Sequence, residues 1–185
     1  MSGMSSSFIV PDLLAPNLRL VFCGTAPSRA SAAARAYYAR PGNRFWPTLH
    51  RVGLTPRRFQ PHEYAELLAL GIGLTDLCKA HSGNDDELPD DAFDVPAFVH
   101  KVKHHQPRWV AFTSKNAAQA FLARKVAYGV QPETIGATQF FVLPSPSGQA
   151  TRFWDELVWR ELAAVVKNEA AWQNMKEEPR FGGDD

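Results

Sequence analysis

The chain has 185 residues, of which 45% are hydrophobic and 21% charged, with a net charge of +1. These are the proportions of a globular protein with room for one domain of ordinary size, and no apolar run approaches the roughly 18–20 residues of a membrane span. Only two cysteines are present, Cys23 and Cys78, which excludes a disulfide-stabilised scaffold and a cysteine zinc finger.

Short apolar segments alternate with helical patterns along the chain. Strands are predicted at residues 18–23, 72–77, 109–112 and 139–143, and helices at residues 43–52, 63–68, 95–106, 115–124 and 152–166. We expect residues 1–17 to form a loose lead-in, residues 18–167 a single domain, and residues 168–185 a polar tail. Residues 1–7 lack the basic and apolar regions of a signal peptide, so the protein is expected in the cytoplasm, at the nucleoid if bacterial.

The alternation of strands and helices predicts the fold class. Apolar strands of four to six residues favour a mainly parallel sheet with helices on both faces, a three-layer α/β/α sandwich. Ligands of such folds bind beyond the carboxyl ends of the strands. Three segments lie at such ends: residues 24–28, Thr75 with Asp76, and residues 144–148.

Charge is distributed unevenly. Between Asp12 and Glu63 there are eight arginines and no acidic residue, whereas residues 85–94 contain six Asp or Glu. The basic interval is either a surface for a polyanion, to which the planar guanidinium is suited, or ordinary solvated surface. We interpret the acidic stretch, which Pro89 interrupts, as a solvated loop rather than a cation site.

Three segments are candidates for carrying the chemistry of the protein. Residues 24–28, Gly-Thr-Ala-Pro-Ser, form a strand-to-loop turn but lack the further glycines of a dinucleotide fingerprint and the Gly-Lys of a phosphate loop. In residues 144–148, Pro-Ser-Pro-Ser-Gly, the N–H groups of Ser147 and Gly148 precede a predicted helix and could bind a phosphate. Residues 43–46, Asn-Arg-Phe-Trp, place aromatic rings beside an arginine, as either core or a base-stacking surface. The six histidines are scattered without a metal-ligand spacing, so they indicate no metal site.

Taken in order, these segments resemble the mismatch-specific uracil-DNA and thymine-DNA glycosylase family. Its members have Gly-Ile-Asn-Pro-Gly after the first strand, then Asn-Arg-Phe-Trp, a Gly-x-Thr strand end and Leu-Pro-Asn-Pro-Ser-Gly. The corresponding segments here are residues 24–28, 43–46, 73–76 and 143–148, and the resemblance spans about residues 18–166.

The resemblance implies a uracil-DNA glycosylase-like fold and a monofunctional enzyme of base-excision repair. Such an enzyme flips a base out of the helix, here uracil from mismatched duplex, and hydrolyses its N-glycosidic bond without metal or cofactor. The expected partner is mismatched or uracil-containing duplex DNA, with single-stranded DNA as the alternative. We expect a monomer that does not bind membranes. Two other functions stay open: a damage-binding protein of the same fold, and a glycosylase for another base such as hypoxanthine or an etheno adduct.

The resemblance also suggests roles for single residues. Phe45 matches the residue on which the flipped base stacks, and Tyr38 is a second candidate for the pocket wall. Ala26 stands where the family has the asparagine that holds the hydrolytic water, and alanine cannot hold it. We therefore predict Asp76 as the catalytic residue, because a carboxylate orients water and stabilises positive charge on the sugar. The alternative for Asp76 is a turn aspartate that caps a backbone N–H, and Thr25 and Ser28 are lesser candidates for holding the water.

The predicted site has two parts. The base pocket comprises Gly24, Thr25, Ala26, Pro27, Tyr38 and Phe45. The DNA-binding set comprises Asn43, Arg44, Arg57, Arg58, Ser145, Ser147, Gly148 and Gln149. Of these, Gln149 stands where the family has the residue that fills the gap left by the flipped base.

Overall fold

A five-stranded sheet organises residues 9–168, the part of the chain that the computed structural model describes. The strands are β1 Leu20–Gly24, β2 Ile72–Asp76, β3 Trp109–Phe112, β4 Gly129–Ile135 and β5 Thr138–Val142. Their spatial order is β2-β1-β3-β5-β4, with β4 antiparallel to β5 and every other pair parallel. The parallel strands are almost wholly buried, which explains why they read as continuous apolar runs.

Helices cover both faces of the sheet. The α-helices are α1 Arg29–Ala34, α2 Phe45–Arg51, α3 Val95–His105, α4 Lys115–Leu122 and α5 Glu156–Lys167, and 3₁₀ helices occur at Pro61–Leu70, Asp85–Glu87 and Gly148–Phe153. Alternate residues of β1 enter two cores: Phe22 packs with α2 and α5, and Cys23 with α3 and α4. The predicted three-layer α/β/α class is therefore confirmed.

Several predicted elements need correction. The edge strand β4 was missed because it contains Gly129 and Pro132 and is half exposed, and such residues are tolerated only at a sheet edge. The short helix α1 was also missed, although Ser28 caps its start by accepting from Ser31 N. The last helix begins at residue 156 rather than at residue 152. The Asp155 carboxylate caps this start by accepting a hydrogen bond from Leu157 N.

The expected loose lead-in is wrong for its described part, residues 9–17. Val10 is fully buried, and Leu13 exchanges two 2.9 Å backbone hydrogen bonds with Leu74 of β2. Gly73 permits this approach, since a Cβ there would lie 2.5 Å from the Leu13 carbonyl oxygen. The folded domain therefore begins before residue 18, while residues 1–8 and the predicted tail from residue 169 lie outside the described residues.

Candidate active site

A cavity of about 600 Å³ opens at the carboxyl edge of the sheet. It lies where parallel α/β folds place their ligands, because the segments that leave β1, β2, β3 and β5 all meet there. The lining residues that follow these strands are Gly24, Thr25, Ala26, Pro27, Ser28, Asp76, Thr113, Ser114, Asn116, Ser145, Pro146, Ser147, Gln149 and Ala150. The wall is completed by Ser31, Tyr37, Tyr38, Arg40, Asn43 and residues 83–86.

Asp76 lies at the cavity wall with only 5% of its surface exposed. It ends β2 directly beside Gly24 of β1, and a Cβ on that glycine would lie 2.8 Å from Asp76 Oδ1. Glycine at this position is what lets the carboxylate lie against the neighbouring strand. Burial raises the pKa of Asp76, while the nearby Lys79 ammonium acts to lower it.

Phe45 does not line the cavity, contrary to its predicted role as an open stacking surface. Its ring is fully buried in the core, edge-on to Phe22 at a centroid distance of 5.0 Å. Tyr38 covers the ring, with 3.9 Å between centroids and 20° between planes. The half-buried Tyr38 lines the cavity instead, and its hydroxyl lies 3.0 Å from Thr113 Oγ1. Tyr38 therefore holds the position that a base stacked on Phe45 would need.

The predicted DNA-binding arginines do not line the cavity. Arg44 donates to Thr151 Oγ1 at 3.0 Å and to the Ser147 carbonyl at 3.4 Å. Arg57 pairs with Glu63 and Glu66 at 2.6 and 3.0 Å, so its charge is largely neutralised.

Arg58 is exposed and is also absent from the lining residues. The arginine of this interval that does line the cavity is Arg40, which the sequence analysis did not single out. The structure therefore does not bring Arg44, Arg57 and Arg58 together at the cavity wall.

In the loop after β5, backbone N–H groups donate hydrogen bonds to serine side chains of the same loop. Ser147 N donates to Ser145 Oγ, and Gln149 N donates to Ser147 Oγ, both at 3.2 Å. Gly148 lies outside the cavity lining and packs against Gly42, whose carbonyl oxygen would be 3.1 Å from a Cβ at residue 148. In the predicted phosphate-binding site at Ser147 and Gly148, the N–H of Ser147 is therefore already paired within the loop.

Most of the chain matches a known protein family. The model of the uracil DNA glycosylase superfamily matches residues 11–164. The chain belongs to the uracil-DNA glycosylase superfamily. Members of this superfamily are DNA glycosylases, which are hydrolases that bind DNA.

The fold of this superfamily member is also found among solved structures. One of them is the solution NMR structure of a protein proposed to be a uracil DNA glycosylase, from Methanosarcina acetivorans. The two chains are 21% identical, the match covers 86% of this chain and 97% of that one, and the TM-score is 0.60. At this identity the likeness shows the fold, and the predicted uracil-DNA glycosylase-like fold is confirmed.

The glycosylase cavity also contains residues that the sequence analysis missed. Thr113, Ser114 and Asn116 follow β3, and the strand-end rule that selected the other segments would have found them. The acidic stretch is not merely a solvated loop. Asp85 accepts hydrogen bonds from Thr25 Oγ1 and Asn116 Nδ2, both at 2.7 Å, and so closes one side of the cavity mouth.

The described residues of this superfamily member contain neither a metal-binding cluster nor a membrane-spanning helix. Among residues 9–168, no group of three or more His, Cys, Asp or Glu side chains is arranged to hold a metal ion. Within the same residues, no helix has the length and apolar character needed to cross a membrane.

Proposed function

We propose that the protein is a monofunctional glycosylase that removes uracil from DNA, with mismatched duplex as its main substrate. The observation that carries this proposal is Asp76, a buried carboxylate at the wall of a cavity of about 600 Å³. Ala26, on the same wall, supplies no amide to hold the hydrolytic water. Asp76 is then the acidic side chain at the sheet edge that takes over this task.

The proposed reaction is hydrolysis at C1′ of a flipped nucleotide. Flipping costs a few kcal/mol, and the cost is least at a mismatch. As the C1′–N bond breaks, its electrons leave with the base and positive charge develops on the sugar. The Asp76 carboxylate stabilises that charge and orients a water molecule, whose oxygen bonds to C1′ while its proton passes to the carboxylate or to solvent.

The flipped base would lie against Tyr38 and Asn43. The Asn43 side-chain oxygen accepts from Phe45 N at 2.9 Å, so its amide N–H groups are the donors left for a base carbonyl. The ring of Tyr38, backed by Phe45, offers a flat apolar surface for stacking. This arrangement supports a pyrimidine with carbonyl groups as the ligand.

The test is the single-turnover excision rate on a U·G duplex, measured with enzyme in excess. Asp76→Ala should lower the rate by about a hundredfold or more, the usual scale for a positioned acid or base. DNA affinity should be kept or rise slightly, because a negative charge near the phosphates is lost. Introducing Ala26→Asn into the Asp76→Ala background should restore part of the rate.

Asp86→Ala is the matched control, because Asp86 is an exposed carboxylate at the same cavity. It should cut at nearly the normal rate. Excision by Asp76→Ala at the wild-type rate would show that the catalytic assignment is wrong.

Base preference is tested on duplexes with U·G, U·A, T·G, hypoxanthine and etheno-adduct pairs. Excision of uracil before the others supports the proposal, and preference for a purine supports a glycosylase for another base. A folded protein that binds abasic DNA but releases no base supports the damage-binding alternative, which the missing amide at Ala26 favours.

A further inference from the structure

Four side chains of alternating charge lie in a row that ends at the cavity. In order they are Lys101, Asp12, Lys79 and Asp76, and we call them the charge row. The Nζ–Oδ distances between neighbours are 2.7, 3.0 and 3.5 Å. The four residues come from α3, the N-terminal segment, the turn after β2 and the end of β2 itself.

Lys79 is unusual within the charge row because its side chain is only 7% exposed. Lysine is almost never so buried unless its charge is paired. Here the ammonium contacts Asp12 and Asp76 and donates to the Tyr37 hydroxyl at 3.0 Å. A lysine directed inward in this way is held against Asp76 rather than offered to a DNA phosphate.

Asp12 has the opposite influence on the same site. Burial acts to raise the pKa of Asp12, but Lys79 and Lys101 outweigh it and hold that pKa below its usual value. Asp12 is therefore ionised at neutral pH and shares the Lys79 charge with Asp76. The position of Lys79 between two carboxylates limits how much of its charge acts on either one.

We infer that Lys79 and Asp12 are positioning residues that together set the pH range in which Asp76 is ionised and active. This inference rests on the proposed catalytic role of Asp76. Lys79 holds the carboxylate at the cavity in its charged form, and Asp12 moderates that hold. The charge row thereby makes the N-terminal segment part of the catalytic apparatus.

The groups that face Asp76 come from every element packed against it. Lys79 and Lys101 carry positive charge and Asp12 negative charge. The thiol of Cys23 and the hydroxyls of Tyr37 and Tyr38 are neutral at physiological pH. Burial is the largest influence on the pKa of Asp76 and raises it, Lys79 lowers it, and Asp12 raises it. A base with a raised pKa loses its activity earlier as the pH falls. Removing Lys79 and removing Asp12 should therefore shift the activity profile in opposite directions.

The experiment measures the single-turnover excision rate across the acidic and neutral pH range. In Lys79→Met the acid limb of the profile should move to higher pH, and in Asp12→Asn it should move to lower pH. On the acid side of the limb, each unit of displacement changes the rate about tenfold. Lys79→Arg keeps the charge and should restore most of the wild-type profile.

Lys103→Met is the matched control, because Lys103 is an exposed lysine of α3 outside the charge row. Its profile should coincide with that of the wild type. A merely structural charge row would lower stability and rate at all pH values without moving the acid limb. If Lys79→Met does not fold, the near-isosteric Asp12→Asn still tests the inference. Only the inference predicts that the acid limb of this variant moves to lower pH.

The possible failures are distinguishable. If Asp76→Ala is inactive while the acid limbs of Asp12→Asn and Lys79→Met stay in place, the inference is overturned and the proposed function stands. If Asp76→Ala cuts at the wild-type rate, the catalytic role proposed for Asp76 itself is wrong.

Discussion

At the scale of single residues, Tyr38 and Phe45 show how a motif residue can change its task. Phe45 lies in the expected segment but is fully buried, and Tyr38 presents the aromatic surface to the cavity. Tyr38 adopts a left-handed backbone conformation, with φ of 52°, that few non-glycine residues use. Such a conformation is retained where the surrounding contacts demand it, here the ring stacking and the hydroxyl contact with Thr113.

Phe45→Ala should destabilise the protein by about 3–5 kcal/mol, because it leaves a cavity in the core. Tyr38→Ala should leave the fold largely intact and remove about 1–3 kcal/mol of transition-state stabilisation. Thermal unfolding and the single-turnover rate separate the two effects, and Tyr38→Phe, which keeps the ring, should retain most of the rate. A faster Tyr38→Ala enzyme would mean that Tyr38 blocks Phe45 and that Phe45 is the stacking surface after all.

At the scale of elements, the acidic loop of residues 83–87 is held across the mouth of the cavity. Asp85 bonds to Thr25 and Asn116, and Glu87 pairs with Arg29 of α1. The loop thus links residues 25–29 to Asn116, two segments that are distant in sequence. Its carboxylates also repel the phosphates that must approach the same rim.

Asp85→Ala should therefore tighten DNA binding, because it removes a charge and releases the loop from Thr25 and Asn116. Asp90→Ala removes the same charge from an exposed position outside the cavity lining and should have a smaller effect. Dissociation constants of both variants for one duplex at one salt concentration provide the comparison. Equal gains in affinity would show that only net charge matters and that the contacts of Asp85 do not hold the rim.

At the scale of the whole molecule, ion pairing decides which arginines remain for DNA. Arg57, with Glu63 and Glu66, forms a local cluster, and Arg51 pairs with Glu156 at 2.6 Å. Arg44 holds the segment after β5 against α2. Arg40 lines the cavity, and we expect it to contact a phosphate of the flipped nucleotide.

Arg40→Gln should lower the log–log slope of DNA affinity against salt by about one, as expected for the loss of one phosphate contact. Arg57→Gln should leave the slope unchanged, because its partners already neutralise it. The measurement is the affinity for one duplex over a series of salt concentrations. If Arg57→Gln lowered the slope and Arg40→Gln left it unchanged, the DNA would bind to another face of the protein.

The sequence by itself determined the layered α/β class and the place of the site. Strands buried on both faces must be continuously apolar, so the four parallel strands are visible in the amino-acid order. Residues 24–28, Asp76 and residues 144–148 follow from the rule that parallel strands carry ligands at their carboxyl ends. These features depend on residues close together in the chain, and local patterns record them.

Only the tertiary structure decided which side chains face the cavity and which are paired. Phe45 is hidden because Tyr38 packs over it, and Arg57 is neutralised because the helix of residues 61–70 brings Glu63 and Glu66 to it. Asp12 joins Lys79 because Leu13 pairs with β2, a contact that no spacing in the sequence indicates. Exposure and ionisation depend on neighbours that are distant in the chain, so they exist only once the chain has folded.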